Sequence, residues 1–244
     1  MSVLDESKAT AYTVLTTEPE STPQSPMPVE ISDDAELCNR GVPRCHIGKA
    51  VDLNGWADEL SRVSPVSVFA EDGEFAQYRN IMGDPGFPFD AILTAITPCL
   101  NTYFVDSAEE VVLDDAFAIH YNESHCDTRV AKHTDPSDIT VNLCLERTED
   151  LEGSQVQFFG AMGLKNKSSV YEGAVDATLI ANENFLVNPE NGWATVHWGK
   201  HPHLVTSLRK GSRTNVVLTY VYADKSRTRL GKSDCFLDEA LLSR

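Results

Sequence analysis

Residues 133–145 read His-Thr-Asp-Pro-Ser-Asp-Ile-Thr-Val-Asn-Leu-Cys-Leu. The alternation of apolar and polar residues over 139–145 predicts a half-buried β-strand. Just before it, His133 and Asp135 stand two residues apart, and in strand-like sequence two such side chains point to the same face. A histidine and a carboxylate on one face of a strand can bind a metal ion.

A third metal ligand should come from a distant strand. The segment 199–203 reads Gly-Lys-His-Pro-His and offers His201 and His203, and Arg213 follows His203 by ten residues. A lone His-x-Asp is frequent by chance and is a weak signal. The later histidines and the arginine make a metal site a reasonable hypothesis.

The chain from 107 onwards alternates short apolar segments with turns, which predicts a series of strands. The predicted strands are 111–113, 117–121, 139–145, 156–159, 185–187, 193–197 and 216–222. Helical periodicity predicts an earlier helix over 51–63 and a second from Phe89 to Tyr103, in which Pro98 predicts a kink or break. The predicted fold class is mainly β with flanking helices, the N-terminal helices packing on one sheet of a double-sheet jelly roll.

Four segments follow from this pattern. Residues 1–40 are acidic and rich in Ser, Thr and Pro, which predicts a disordered tail. Residues 41–106 form a helical support region, 107–226 the β-domain, and 227–244 a C-terminal tail. The polar segment 161–184 is too long for an ordinary hairpin loop, so it is either a lid or a tolerated insertion.

The composition narrows the class of protein. The chain has 244 residues and a net charge of −17, and an acidic surface repels phosphate backbones, so nucleic acid is a disfavoured partner. No apolar run is long enough to span a membrane, and residues 1–16 lack the basic start and the compact apolar stretch of a signal peptide. We therefore expect an intracellular protein in the cytoplasm, with the nucleus as the alternative. Cys45-His46 with Cys38 fits no usual zinc spacing, and we expect the six cysteines to be free thiols.

The arrangement over 111–222 resembles the prolyl-4-hydroxylase-like branch of the iron(II)- and 2-oxoglutarate-dependent oxygenases. The matching positions are Tyr121, His133-Thr134-Asp135 with the strand after it, the segment 152–158, His203 and Leu208, Gly211-Ser212-Arg213, and the apolar strand at 216–218. A histidine ten residues before an arginine that ends a Gly-x-Arg turn is specific to that family. The resemblance implies a double-stranded β-helix core.

The resemblance also implies the roles of the site residues. His133, Asp135 and His203 would bind Fe(II), and Arg213 would grip the distal carboxylate of 2-oxoglutarate through two parallel hydrogen bonds. Tyr121 lies where family members often place a tyrosine against the cosubstrate. Cys144 replaces a tyrosine that many relatives use there, so Thr140 and Asn142, on the same strand face, are the predicted lining of the cosubstrate pocket.

Several neighbouring residues leave alternatives open. His201 is the rival for the third metal ligand, although its offset from Arg213 favours His203. His197, on the preceding strand, is predicted in the core or beside the ligands, and a buried tyrosine with a purely structural role is an equally good interpretation of Tyr121. Ser154 and Ser207 depart from the family pattern at positions where a change is tolerable.

The predicted function is that of a dioxygenase that hydroxylates a peptidyl proline or lysine, or a small amino-acid-like metabolite, and forms succinate and CO2. Its cofactors would be Fe(II), 2-oxoglutarate as cosubstrate and O2, with ascorbate a candidate addition. The alternative from another class is an inert jelly-roll binding or scaffold protein. A nucleic-acid demethylase of the same superfamily is disfavoured by the acidic surface and by the lack of a second arginine after Arg213 over 214–219.

Overall fold

The structure, a computed structural model, describes residues 29–62, 77–125, 128–163 and 184–227. The predictions for residues 1–28, for 164–183 and for 228–244 lie outside these ranges. Within the described ranges no helix is both long enough and apolar enough to cross a membrane. The elements that matter for function are a few helices and two main sheets.

The helices precede the long strands in the chain. They are α1 (Ala35–Asn39), α2 (Trp56–Ser61) and α3 (Phe89–Tyr103), followed by a short 3-10 turn at Ala108–Glu110. α2 is shorter than the helix predicted over 51–63. It begins after Gly55, whose φ of 84° lies in the left-handed region that glycine tolerates and that a helix cannot continue through.

Pro98 lies inside α3, which continues without interruption from Phe89 to Tyr103. Of the kink or break predicted at Pro98, the break is therefore wrong. Pro98 and Thr94, one turn earlier, are both exposed, so the Thr94 carbonyl that loses its N–H partner can bind water. The opposite face of the helix is buried through Ile92, Ile96 and their neighbours.

The strands form two main sheets. In chain order they are β1 (Glu30–Ile31), β2 (Arg44–His46), β3 (Gln77–Asn80), β4 (Val111–Asn122), β5 (Val130–His133), β6 (Ile139–Arg147), β7 (Glu152–Gly153), β8 (Val156–Phe159), β9 (Asn184–Val187), β10 (Trp193–Trp198), β11 (His203–Val205), β12 (Leu208–Lys210) and β13 (Ser212–Tyr222). The large sheet has the order β1-β2-β10-β6-β13-β4-β3, and the small sheet the order β5-β11-β8-β9. β7 and β12 pair separately, and every pairing is antiparallel.

The prediction of a mainly β jelly roll with helices on one sheet is confirmed. The predicted strands 139–145, 156–159, 185–187, 193–197 and 216–222 correspond to β6, β8, β9, β10 and β13. The predicted strands 111–113 and 117–121 are one continuous strand, β4, interrupted only by a bulge opposite Thr219 and Tyr220. The remaining strands were not predicted, because they are short and contain at most two apolar residues each, against three in β8 and in β9.

The last part of the predicted tail contains two secondary-structure elements. Residues 29–40 contain β1 and α1, and β1 pairs with β2, which in turn pairs with β10 of the large sheet. The predicted support region 41–106 likewise adds β2 and β3 to that sheet. The large sheet is therefore widened at both edges by strands from the N-terminal part of the chain.

The two faces of the large sheet differ in chemistry. The outer face carries apolar side chains such as Val141, Leu143 and Val216, which form one core together with α3 residues such as Ile96. The inner face, which looks into the jelly roll, is rich in polar side chains that are nevertheless buried. They are Thr140, Thr195, His197, Arg213, Asn215 and Thr219. Burying polar groups is costly unless they have partners, so the inner face is the first place to look for a ligand site.

Candidate metal centre

Three side chains come together between the two sheets. One ligand atom each from His133, Asp135 and His203 lies within 4.8 Å of the others, and no other group of three or more His, Cys, Asp or Glu ligand atoms occurs among the described residues. His133 is the last residue of β5, His203 is the first of β11, and the two are register partners. The edge of the small sheet thus brings together residues that are 70 positions apart in sequence.

Asp135 reaches the group from a loop. The prediction that His133 and Asp135 share one strand is wrong, because β5 ends at His133. The loop is held by the turn after β10: the Asp135 N–H donates to the Gly199 carbonyl at 2.8 Å, and the Gly199 N–H donates to the Asp138 carbonyl at 2.9 Å. The carboxylate therefore has a fixed position even though its residue is outside the sheet.

Both histidines present the same nitrogen to the centre. His133 Nδ1 lies 2.8 Å from the Ala131 carbonyl oxygen, and His203 Nδ1 lies 2.9 Å from the His201 carbonyl oxygen. A carbonyl only accepts hydrogen bonds, so each Nδ1 carries a proton, and in the neutral ring each Nε2 keeps its lone pair. This arrangement fixes the ring orientation and leaves Nε2 ready to bind a metal.

The distances suit one ion between the three donors. Asp135 Oδ1 lies 3.4 Å from His133 Nε2 and 3.7 Å from His203 Nε2. Donors that each bind one ion at about 2.1 Å are roughly 3.0–3.4 Å apart, so the two distances from Asp135 need only a small contraction. The residues present therefore fit a metal ion held on one face.

The second carboxylate oxygen of Asp135 is already engaged. The Thr140 hydroxyl donates to Oδ2 at 2.6 Å, and the Ser137 hydroxyl lies 2.9 Å from the Thr140 oxygen. Thr140 was predicted to line a cosubstrate pocket, but its hydroxyl is used here by Asp135 and Ser137. The hydrogen bond from Thr140 to Oδ2 orients the Asp135 carboxylate so that Oδ1 lies toward the two histidines.

Charge favours metal binding at this centre. Burial raises the pKa of the Asp135 carboxyl, but the neighbouring His203, His133 and His197 outweigh it and hold that pKa well below its usual range. Burial lowers the pKa of His203 to about 3, against the opposing effect of Asp135. At neutral pH the centre therefore presents a carboxylate and a neutral His203, which are the protonation states that bind metals. Burial lowers the pKa of His133, but Asp135 and the Ala131 carbonyl outweigh it and raise that pKa, so a metal would displace a proton more readily from His203 than from His133.

The other two histidines of this region have different positions. His197 lies on the inner face of β10, with Nε2 4.0 Å from Asp135 Oδ2 and its ring 4.8 Å from that of His203. His201 is fully buried against Phe158, and its Nε2 lies 3.3 Å from the Gly160 carbonyl oxygen. His201, the rival for the third ligand, is thus outside the ligand group.

Arg213 is buried on the inner face of the large sheet, with only 2% of its surface exposed. Its guanidinium lies 5.0 Å from the ring of Tyr121, its register partner on β4. Among the described residues, Nε and Nη1 have no hydrogen-bond partner. A buried guanidinium with unused donors is costly, and a carboxylate that accepts hydrogen bonds from it would offset that cost.

The surroundings of Arg213 include one residue that the prediction missed. Asn215, on the same face of β13, donates to the Asn142 side chain and keeps an Oδ1 without a partner among the described residues. Cys144 is the register partner of Asn215, and burial raises the pKa of its thiol to about 11 even though Arg213 lowers it. The two-residue spacing of Arg213 and Asn215 was the available signal, since it places both on one face of a strand.

The sequence matches no protein-family model and, at a significant level, no curated protein. The fold, in contrast, is similar to solved structures. The non-heme alpha-ketoglutarate-dependent epimerase SnoN from nogalamycin biosynthesis has a TM-score of 0.56 at 14% identity, with 78% of this chain and 81% of that chain covered. A second SnoN structure, in complex with Fe3+, alpha-ketoglutarate and nogalamycin RO, has a TM-score of 0.53 at 12% identity, with 78% and 82% covered.

Two further solved structures have comparable similarity. AviO1 from Streptomyces viridochromogenes Tue57 has a TM-score of 0.53 at 15% identity, covering 77% of this chain and 92% of that chain. EvdO2 from Micromonospora carbonacea var. aurantiaca, complexed with 2-oxoglutarate, has a TM-score of 0.50 at 16% identity, covering 77% and 89%. At these identities the similarity establishes a shared jelly-roll fold.

Proposed function

We propose that this protein is an iron(II)- and 2-oxoglutarate-dependent oxygenase. His133, Asp135 and His203 would hold the iron through Nε2, Oδ1 and Nε2, and Arg213 would bind the distal carboxylate of 2-oxoglutarate. One observation carries the proposal: a three-residue metal group and a buried guanidinium with unused donors lie within the same jelly roll. The similarity to SnoN and EvdO2, whose structures contain alpha-ketoglutarate, supports the choice of cosubstrate.

The reaction follows from the chemistry that the iron supplies, which is the activation of dioxygen coupled to oxidation of the 2-oxo acid. 2-Oxoglutarate, O2 and a substrate C–H would give succinate, CO2 and a substrate C–OH. One oxygen atom enters succinate and the other enters the product. Hydroxylation is our specific proposal, and a product of unchanged mass would instead indicate an epimerisation such as the one for which SnoN is named.

We favour a small molecule as the substrate. The solved structures with TM-scores of 0.50 and above include SnoN, with nogalamycin RO bound in one of its structures. A peptidyl proline or lysine, which the resemblance to the prolyl-4-hydroxylase-like branch implies, remains the second choice. Protein incubated with each substrate class and assayed for succinate and for product mass would decide between them.

The experiment that tests the proposed function measures iron and cosubstrate binding separately. Anaerobic titration with Fe(II) should show one site that is lost in His133→Ala, and titration of the iron-loaded protein with 2-oxoglutarate should show binding that is weakened at least tenfold in Arg213→Met, a loss of about 1.4 kcal/mol or more. Arg209→Met is a matched control, because Arg209 is exposed on the neighbouring strand β12. Wild-type behaviour of both site variants would favour an inert jelly-roll protein.

A further inference from the structure

A second set of side chains lines the inner face of the large sheet beside the metal centre. Asp115 on β4 is the register partner of Thr219 on β13, and Thr219 is the partner of Thr140 on β6. Thr140 is the residue that donates to Asp135. Neighbouring strands are about 4.8 Å apart, so Asp115 lies roughly 10 Å across the sheet from Thr140, at the level of the metal group.

Asp115 carries a charge that no described residue balances. It is half-buried at the bulge of β4, and its Oδ1 accepts a hydrogen bond from the Ala116 N–H at 2.8 Å. No basic side chain forms an ion pair with it within the part of the chain that the structure describes. A half-buried carboxylate without a cation partner is a favourable binding position for a positively charged ligand.

Two aromatic rings continue the same surface. Phe117 is two residues beyond Asp115 on β4 and therefore on the same face. The ring of Tyr78, on the edge strand β3, lies 4.9 Å from the Phe117 ring at an interplanar angle of 30°. Both rings are half-buried, and burial together with the charge of Asp115 raises the pKa of Tyr78. The carboxylate and the two rings thus form one surface on the inner face of the large sheet, the face that also carries Thr140.

We propose, on the basis of the proposed oxygenase function, that Asp115, Phe117 and Tyr78 bind the substrate and select a small molecule in which a protonated amine is attached near a ring. The carboxylate pairs with the ammonium group, while the aromatic faces contact the ring and add cation–π attraction. The separation of roughly 10 Å between Asp115 and Thr140 is one that a ring bearing a short amine chain can span. The net charge of −17 also attracts cations to the molecule.

Asp115 also has a structural role that the test must separate from substrate binding. Its Oδ1 accepts from the next backbone N–H and so supports the bulge. Asp115→Asn keeps that acceptor oxygen and removes only the charge. Asp114→Asn is the matched control, because Asp114 lies on the same strand, is exposed and loses the same charge.

The experiment compares amines with alcohols of the same shape. Tyramine, tryptamine and 2-cyclohexylethylamine are each paired with the alcohol that carries a hydroxyl in place of the ammonium group. Binding to the protein loaded with Fe(II) and 2-oxoglutarate is measured by anaerobic calorimetry. We expect at least one amine to bind about tenfold more tightly than its alcohol, which corresponds to about 1.4 kcal/mol. The preference should disappear in Asp115→Asn and persist in Asp114→Asn.

Two results would overturn the substrate assignment. One is equal affinity for amine and alcohol in every pair, and the other is an amine preference that survives in Asp115→Asn. Neither result affects the proposed function, because Fe(II) and 2-oxoglutarate binding are measured on the same samples before any probe is added. Conversely, if those two ligands do not bind, the oxygenase proposal fails while the amine preference is still measurable on the metal-free protein.

Discussion

At the scale of single residues, the centre depends on contacts that fix its donors as much as on the donors themselves. The Nδ1–H groups of His133 and His203 bind backbone carbonyls, and Oδ2 of Asp135 accepts from Thr140. Each ligand is therefore oriented before a metal arrives, which lowers the entropic cost of binding. Two of these three contacts are made with backbone carbonyls. The third is made by the Thr140 side chain, which can therefore be substituted without changing a ligand or the backbone.

Thr140→Val should weaken Fe(II) binding by about 10–100-fold, the range typical for loss of a contact that orients a metal ligand. The substitution keeps the shape of the side chain and removes only the hydroxyl that donates to Asp135. Anaerobic titration with Fe(II) measures the effect, and Thr140→Ser should restore most of the affinity. Thr94→Val, on the exposed face of α3, is the control and should bind iron as the wild type does.

His120 provides a test of pH dependence away from the metal centre. Its Nδ1 lies 2.9 Å from the Thr214 hydroxyl oxygen, and burial, together with nearby His125, lowers its pKa below the ordinary value of 6.5. The unfolded chain therefore binds a proton at a higher pH than the folded protein does. The stability that neutral His120 contributes is fully present above about pH 6.5 and is lost as the pH falls toward its folded-state pKa.

His120→Asn should therefore reduce the slope of the unfolding free energy against pH below about pH 6.5. Asparagine places an amide group near the position of Nδ1 but does not titrate there. Chemical denaturation at a series of pH values gives the slope directly. If the variant and the wild type lose stability in parallel over this range, His120 is not the group that causes the loss.

At the scale of elements, the turn between β10 and β11 is joined to the loop that carries Asp135. Gly199 exchanges backbone hydrogen bonds with this loop in both directions, to Asp135 and to Asp138. A Cβ added at Gly199 would lie 2.1 Å from the Ser137 carbonyl oxygen. The closeness of the two loops requires glycine at this position, and it sets the location of the carboxylate relative to the small sheet.

Gly199→Ala should displace the 134–138 loop and lower both iron affinity and stability, because the clash is with backbone atoms that cannot rotate away. We expect a loss of roughly 1–3 kcal/mol of stability, as for other overpacked sites. Gly86→Ala is a control in which the added Cβ would be 3.4 Å or more from its neighbours. Thermal unfolding and Fe(II) titration of both variants check the prediction, and unchanged iron affinity in Gly199→Ala would contradict it.

At the scale of the whole molecule, the two faces of the large sheet differ in role: one contributes to the apolar core, and the other carries the polar groups of the candidate site. Its outer face packs with α3 in the main apolar core, whereas its inner face buries polar groups such as Arg213 and Asn215 that lack some of their hydrogen-bond partners among the described residues. The fold can retain these costly groups because the apolar face supplies most of the stability. A ligand that supplies the missing hydrogen-bond partners should then raise the free energy of unfolding.

Arg213→Met should raise the stability of the ligand-free protein by roughly 1–3 kcal/mol, since it removes unsatisfied buried donors and keeps most of the side-chain volume. The same variant should lose the increase in unfolding temperature that 2-oxoglutarate gives to the iron-loaded wild type. Thermal unfolding with and without the cosubstrate measures both effects. A variant that is less stable than the wild type without ligand would indicate that Arg213 is structurally paired.

The sequence by itself determined the chemical groups and the fold class. Alternating apolar and polar residues predicted the long strands. The grouping of His133, Asp135, His203 and Arg213 in one site was predicted only through a family resemblance. Features that depend on a few residues were not predictable, such as strands β1 and β7 or the uninterrupted passage of α3 through Pro98. Periodicity is a local property, and these features are decided by neighbours distant in the chain.

Only the tertiary structure decided which groups meet. It excluded His201 from the ligand group, put Asp135 in a loop instead of a strand, and gave the Thr140 hydroxyl to Asp135. It also placed Asp115 at the level of the metal group, a position that nothing in the sequence around it indicates. The physical reason is register: residue order fixes the face on which a side chain lies, but only the pairing of distant strands fixes which side chains lie opposite one another.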